Sequence, residues 1–280
     1  MKKLLLCFLM LCSVVYAETI EVIVTTGAGG PTDNFTRKIV QELENKSDLK
    51  FVIMNKIGAS HNIGYTYIHS SDKPTIFIAT DVIITNKGNP AYPHGITSSV
   101  EPLFFLGEFS NILLVNSKTN IRTLDDLIKL SKEREVRFGH GGIGTYGYEA
   151  LTNLCDTMKC VSVPYKSGTE AVMGVLSESI DVFSSVSFGA DIFTENNRLR
   201  SILIMSNQKH DKYEVPTLSK KFKDKEIKNW VMLFSRNLSN EDKTTILNIL
   251  KKEDKKFYTD FGVWYEYKNP NVVWKNSLKE

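Results

Sequence analysis

Beyond Val15 the chain contains no apolar run near the roughly 20 residues that a membrane-crossing helix needs, which excludes a helical span from that part. Charge of one sign is also scarce. Among 280 residues the formal net charge is +3, and Lys2 and Lys3 supply much of that excess. No polybasic footprint argues for nucleic acid or an anionic membrane surface, so any attraction for an anion has to be built locally. Cysteine is sparse, with four in all, and Cys7 and Cys12 fall in the leading apolar run. The five histidines are scattered, and the chain has neither a G-x-S-x-G elbow nor an H-E-x-x-H pair. A secreted enzyme would lack its nucleophile and base, or its metal set, so we expect no catalytic residues, no metal and no cofactor. Internal repeats and low-complexity segments are missing too. The 42% hydrophobic and 24% charged composition is that of an ordinary folded protein with a sizeable core.

What is present starts with Met1-Lys2-Lys3, an apolar run from Leu4 to Val15, and Val15-Tyr16-Ala17. This reads as a secretory signal cleaved after Ala17, leaving a mature chain that begins at Glu18 in the periplasm. A lipoprotein reading would use Cys12, but Leu11 before it is bulky where processing wants a small residue. In an oxidising compartment Cys155 and Cys160, the mature pair, read as a short structural disulfide. A redox or metal role would call for C-x-x-C spacing or further ligands nearby.

The chain is organised around Gly27-Ala28-Gly29-Gly30-Pro31-Thr32-Asp33. Ile20–Val24 before it reads as a buried strand, and Phe35, Ile39, Val40 and Leu43 after it recur at helical spacing. Glycines allow a ligand close to the backbone, and Pro31 suits a first helical turn. The N–H groups at such a start, with the helix dipole, suit a carboxylate or phosphate. A tight turn without a ligand is the alternative. Asp33 reads more as a support for its own helix start than as a contact for an anion. Arg37, one turn on, is its expected partner in a surface pair of little worth.

Phe51–Met54 predicts a second strand, running through Asn55 into Gly58-Ala59-Ser60-His61-Asn62-Ile63-Gly64. Ile76–Thr80 predicts a third, ending at Thr80-Asp81. Ligands gather beyond the carboxyl ends of strands in open α/β sheets, so these three ends outline one wall of a cleft. His61 is either solvated or a donor to an anion, and Asp81 either caps a helix or meets a ligand ammonium or hydroxyl. After a loop at 87–99, Asn111–Asn116 reads as a strand, and Thr123 with Asp126 as a capping box. Gly139-His140-Gly141-Gly142-Ile143-Gly144 fits G-x-G-x-x-G, but the next strand runs into Pro164-Tyr165-Lys166 and not into an acidic ribose partner. What survives is a second glycine-rich helix start, before a helix over Tyr148–Leu154, able to hold an anion. Tyr165 and Lys166 are either an exposed strand end or ligand contacts. A helix over Ala171–Leu176, strands at Ile180–Phe183 and Trp230–Phe234, and a charged helical tail from Glu241 follow. Leu203-Ile204-Met205 is expected to be the strand that returns the chain to its first half.

The Gly-Gly-Pro-Thr-Asp turn with Arg37, Asn55…Gly58-Ala59…Asn62-Ile63-Gly64, Gly142-Ile143-Gly144-Thr145, Val163-Pro164-Tyr165-Lys166 and Val215-Pro216-Thr217-Leu218 stand in order along the chain. Together they resemble the Bug family, the extracytoplasmic solute-binding receptors of tripartite tricarboxylate transporters. The resemblance implies an α/β, two-lobed, type II periplasmic-binding-protein fold with the ligand cleft between its lobes. The expected division is lobe 1 at 18–113 and 206–280, and lobe 2 at 114–205. The implied ligand is a small carboxylate, a di- or tricarboxylate or else an aromatic one, held largely by backbone amides and bridging water. The implied partners are membrane permease subunits, for a monomeric protein that binds no nucleic acid. A ligand-sensing subunit for a membrane kinase would use the same fold. Residue by residue, the first loop offers Ala28, Gly29, Gly30, Thr32 and Asp33, and the second Gly58, Ala59 and Asn62. Gly142, Gly144, Thr145, Tyr165 and Lys166 would come from the other lobe. Thr26, His61, Thr80 and Asp81 complete the expected site. The chain departs from the family pattern in having Thr26-Gly27 in place of an aromatic and a proline, Ser60-His61 in place of a glycine pair, and Ser167 before Gly168. Loss of that aromatic would open or wet the pocket.

Overall fold

The computed structural model describes residues 19–85 and 90–279. The signal-sequence reading, with Cys7, Cys12 and the cleavage after Ala17, lies outside them. Strand β1 (Ile20–Val24) is buried along its whole length and leads into α1 (Pro31–Lys46), which buries Phe35, Ile39, Val40 and Leu43 on one face. Next come β2 (Phe51–Asn55), α2 (Asn62–Ser70), β3 (Thr75–Thr80), the short α3 (Val82–Thr85) and α4 (Ile96–Ser99), and β4 (Glu101–Phe109). Strand β5 (Asn111–Asn116) begins a second unit: α5 (Leu124–Glu133), β6 (Val136–His140), α6 (Tyr146–Leu154), β7 (Cys160–Pro164), α7 (Gly168–Leu176), β8 (Val182–Val186), α8 (Asp191–Thr194) and β9 (Leu199–Ile204). Strand β10 (Asn229–Arg236) and helices α9 (Asn240–Leu250), α10 (Lys255–Thr259) and α11 (Pro270–Ser277) close the chain. Thr123 caps α5 in the reciprocal box with Asp126 that the spacing predicts.

The strands form two five-stranded sheets of matching design, ordered β2-β1-β3-β10-β4 and β7-β6-β8-β5-β9. In each, three strands run parallel and a fourth, β10 or β5, lies antiparallel to its neighbours on both sides. This is the two-lobed α/β architecture. The return to the first sheet differs from the expectation. β9 pairs with β5 as an edge of the second sheet, and β10 is the strand that returns. All of β5 belongs to the second sheet, and Leu218, Phe222 and Ile227 pack into that sheet's core. Short apolar strands look alike in sequence, and only pairing decides their sheet.

The start of α1 is fixed from below. Asp33 is 1% exposed, and its carboxylate accepts from the Gly29 N–H at 2.9 Å, from Arg37 Nε at 2.8 Å and from Asn55 Nδ2 at 2.9 Å. Asn55 also donates to the Thr26 carbonyl, so one buried acid ties the first loop to the end of β2. The pair with Arg37 is therefore no ordinary surface pair: the guanidinium is exposed, but the carboxylate is not. Burial opposes ionisation of Asp33, yet Arg37, Asn55 and Gly29 outweigh it and hold the acid below its ordinary range. Cys155 and Cys160 are bonded, linking the end of α6 to the start of β7.

Two predictions follow from these tethers. Because the folded state holds Asp33 below the unfolded carboxylate value, its contribution is present above about pH 4 and lost as pH falls through the depressed value. Asp33→Asn should therefore cost about 2 kcal/mol near neutrality, and the gap to wild type should close on acidification, as read by urea unfolding. Replacing both Cys155 and Cys160 by Ser should cost about 2 kcal/mol, the figure for so short a closed loop, and lower the melting temperature by several degrees.

Candidate functional site

A cavity of 140 Å³ lies between the two sheets' loops, beyond the carboxyl ends of β1, β3, β6 and β8. From the first lobe it is lined by the turn at Thr26, Gly27, Gly30, Pro31 and Thr32, by Thr25 and Thr80, and by Gly58, Ser60 and His61. From the second it is lined by Gly141, Thr145, Tyr146 and Gly147, by Lys166 through Thr169, and by Phe183 through Val186 with Phe188. No Asp or Glu is among these residues, and Lys166 is the one Lys or Arg.

The lobes meet closely at this point. A Cβ on Gly27 would lie 3.1 Å from the Ser167 Cβ and 3.5 Å from the Thr169 hydroxyl, so glycine there lets the start of α1 approach the start of α7. Three helix N-termini, those of α1, α6 and α7, reach the cavity with their positive dipole ends. The caps leave room for a ligand: neither Gly30 nor Thr145 makes a side-chain cap bond, whereas Ser167 accepts from the Glu170 N–H. Below the loops, Phe35, Phe109, Phe188 and Tyr146 interlock with ring centroids 5.0 to 5.7 Å apart, carrying the core from α1 across to α6. Tyr146, Phe183 and Phe188 thus give the cavity an aromatic wall, although Thr26 replaces the aromatic expected in the first loop.

The expected residues divide into two groups. Thr26, Gly30, Thr32, Gly58, His61, Thr80, Thr145 and Lys166 line the cavity. The others lie outside the lining. Ala28 and Gly29 are exposed, and the Gly29 N–H is used by Asp33, whose own carboxylate is taken up beneath the turn. Ala59 is exposed in a left-handed conformation, and Asn62 is fully buried with its amide donating to the Ala59 carbonyl, so both shape the second loop. Gly142 and Gly144 have positive φ and build the third loop; a Cβ on Gly142 would fall 2.6 Å from the Ser60 hydroxyl of the opposite lobe. Tyr165 turns back against Gly139 and Gly174, in the second lobe's own packing. The Asp81 carbonyl accepts from the N–H groups of Ile84 and Thr85, and its carboxylate takes a 2.6 Å bond from the Asn229 amide. Burial, and then the Glu149 charge, push that acid well above its ordinary value.

His61 is no cationic donor near neutral pH. Its Nδ1 lies 2.9 Å from Thr25 Oγ1, and burial lowers the imidazole to about 4 despite its bond with Thr25. The sequence reading missed Ser167, Thr169, Ser184, Ser185 and Tyr146. The available signal was a Ser-Gly-Thr-Glu start to a predicted helix just after Lys166, a capping pattern equal to the one used at α5.

The comparisons with known proteins agree with this architecture. The periplasmic binding protein BugD superposes with a TM-score of 0.80 at 19% identity, covering 93% of this chain and 94% of that one. The Rhodopseudomonas palustris protein MatC, with bound malate, gives 0.76 at 17% identity over 93% and 95%. The R. palustris protein Rpa4515, with adipate, gives 0.82 at 19% over 93% and 94%. At such identities these likenesses speak for the fold. In sequence, Protein BugT of Bordetella pertussis is 25% identical over 224 residues, which is 72% of this chain and 65% of that protein. A UPF0065 protein of Agrobacterium vitis is 21% identical over 78% of this chain and 66% of its own length, so the match spans just under two thirds of both curated relatives. Residues 35–256, well over half of the chain, match the model of TctC, the tripartite tricarboxylate transporter family receptor, and the chain belongs to that family of receptors.

Proposed function

We propose that this protein is a periplasmic receptor that closes its two lobes over a small organic acid, a di- or tricarboxylate, and delivers it to the permease of a tripartite tricarboxylate transporter. The observation that carries the reading is the cavity itself: three helix N-termini from opposite lobes and one lysine surround a space with no acidic side chain. One carboxylate fits the turn from Thr26 to Thr32 at the start of α1, where the buried Thr26 hydroxyl has no partner among the described residues. The other fits the opposite rim, formed by Thr145, Lys166, Ser167 and Thr169. The 140 Å³ available favours a compact acid, since an engineered cavity of about 150 Å³ holds benzene. The wall of Tyr146, Phe183 and Phe188 favours an aromatic carboxylate as the second reading. We assign the lobes by sheet membership, with 19–110 and 229–279 in the first and 111–228 in the second. Malate and adipate occupy two structural relatives, which supports the ligand class without choosing its length.

A thermal-shift panel of carboxylates on the chain from Glu18 to Glu280 tests the reading. Binding to the folded state adds roughly 2.7 kcal/mol at a hundredfold excess over Kd, a rise of several degrees. A flat response across mono-, di- and tricarboxylates in a folded sample would remove the reading. Gly30→Asp separates site from fold. Gly30 is the N-cap of α1 with extended backbone, where Asp is a favoured residue, but its Cβ would lie 3.1 Å from the Gly27 carbonyl oxygen, so the first loop must shift slightly and the variant should stay folded with a melting temperature lowered by a few degrees. It also places a fixed charge where the ligand carboxylate would sit, so carboxylate affinity should fall at least about 100-fold by calorimetry.

A further inference from the structure

Behind the third loop lies a buried titratable group that takes no part in the lining. His140, the last residue of β6, is 2% exposed. The Gly142 N–H donates to its Nδ1 at 2.9 Å, and its Nε2 lies 2.7 Å from the Ser162 hydroxyl on β7. A backbone N–H can only donate, so Nδ1 must present a lone pair. The ring proton is then on Nε2 and is donated to Ser162. The ring is held edge-on to Tyr148, centroids 5.2 Å apart. Gly142 has φ +106, the conformation that turns its N–H onto the imidazole. Its carbonyl in turn accepts from the Thr145 hydroxyl at 2.7 Å and the Thr145 N–H at 3.3 Å, and its Cα faces Ser60 across the cleft. One ring thus fixes both the lip of the cavity at Thr145 and the point where the third loop meets the other lobe.

We propose that His140 is a positioning residue for ligand binding: as the neutral Nε2–H tautomer it braces the loop from Gly141 to Thr145, and protonation of Nδ1 releases that loop and weakens ligand capture. The inference rests on the cavity being the binding site. A proton on Nδ1 would set two N–H donors against each other, and no rotation of a ring held by Ser162 and Tyr148 restores the acceptor. Burial keeps the imidazole below its ordinary value, so the brace is intact at neutral pH and lost in acid. From α6 the Tyr148 phenol faces the ring, and from β7 the Ser162 hydroxyl meets it. Among the charged groups on the other packed elements, Asp181 before β8 holds Arg134 and Arg137, Glu170 on α7 accepts from the Lys166 N–H, and Asp126 on α5 accepts from Thr123. Glu149 on α6, which burial holds above its ordinary value, is common to all the proteins compared below.

The test compares wild type with His140→Asn, whose Oδ1 replaces Nδ1 as the acceptor for Gly142 but cannot titrate, and with His140→Ala, which has no acceptor. Succinate and malate affinities are measured by calorimetry at about pH 7.5 and at the lowest pH at which all three proteins stay folded, the titration of His61 at about 4 being common to all three. Protonation of the diacid is common to all three proteins and cancels. Expected is a loss in wild type at least about tenfold greater than in His140→Asn, with His140→Ala weak at both values. In ligand-free, isotopically labelled wild type the Gly142 amide should shift and exchange faster over the same window, and in His140→Asn it should not. Equal acid losses in wild type and His140→Asn, or a Gly142 amide indifferent to pH, would overturn the proposal. If neither diacid binds wild type at either pH, the ligand class is wrong, and the Gly142 resonance still decides the role of His140.

Discussion

The arrangement on which the rest of the structure depends is the meeting of helix N-termini across the cavity. The start of α1 comes from one lobe and those of α6 and α7 from the other, close enough that a Gly27 side chain would touch Ser167. Like dipole ends repel, and the lining holds no acid to offset them. An anion placed between them reverses the sign of that interaction, so its binding and the approach of the lobes favour each other. This accounts for a site rich in threonine and serine and without arginine. With helix N-termini and one lysine at the cavity, a chain of near-neutral net charge still gathers positive potential locally.

Such a site works only if its loops are held from behind. Asp33 does this for the first loop, gathering Gly29, Arg37 and Asn55 around a carboxylate that water does not reach. His140 does it for the third loop through Gly142. Both are polar groups whose partners lie outside the cavity lining, so the lining itself is left to glycines and hydroxyls of the loops. Their burial is tolerated because nearly every donor and acceptor they carry is matched.

The aromatic cluster under the cavity connects this polar layer to the core. Phe35 belongs to α1, Phe109 ends β4, Phe188 follows β8 and Tyr146 opens α6, so the packing runs without a break from lobe to lobe. Beside it the chain crosses between sheets at Ser110, whose carbonyl accepts from the Ser187 N–H and whose own N–H donates to the Ser187 hydroxyl. The wall that Thr26 does not supply is therefore built from residues far away in sequence.

By itself the sequence determined the local elements and the kind of chemistry: β1 and α1 from their apolar spacing, the cap at Thr123, the pair Cys155 and Cys160, and glycine-rich helix starts suited to an anion. These follow from contacts a few residues apart, which periodicity and capping rules report. Tertiary structure alone decided which sheet β9 joins, that Asp33, Asp81 and Tyr165 lie outside the cavity lining, and that Ser167, Thr169, Ser184 and Tyr146 belong to it. A strand's sheet and a loop residue's direction depend on which distant segment lies opposite, and no local pattern encodes that.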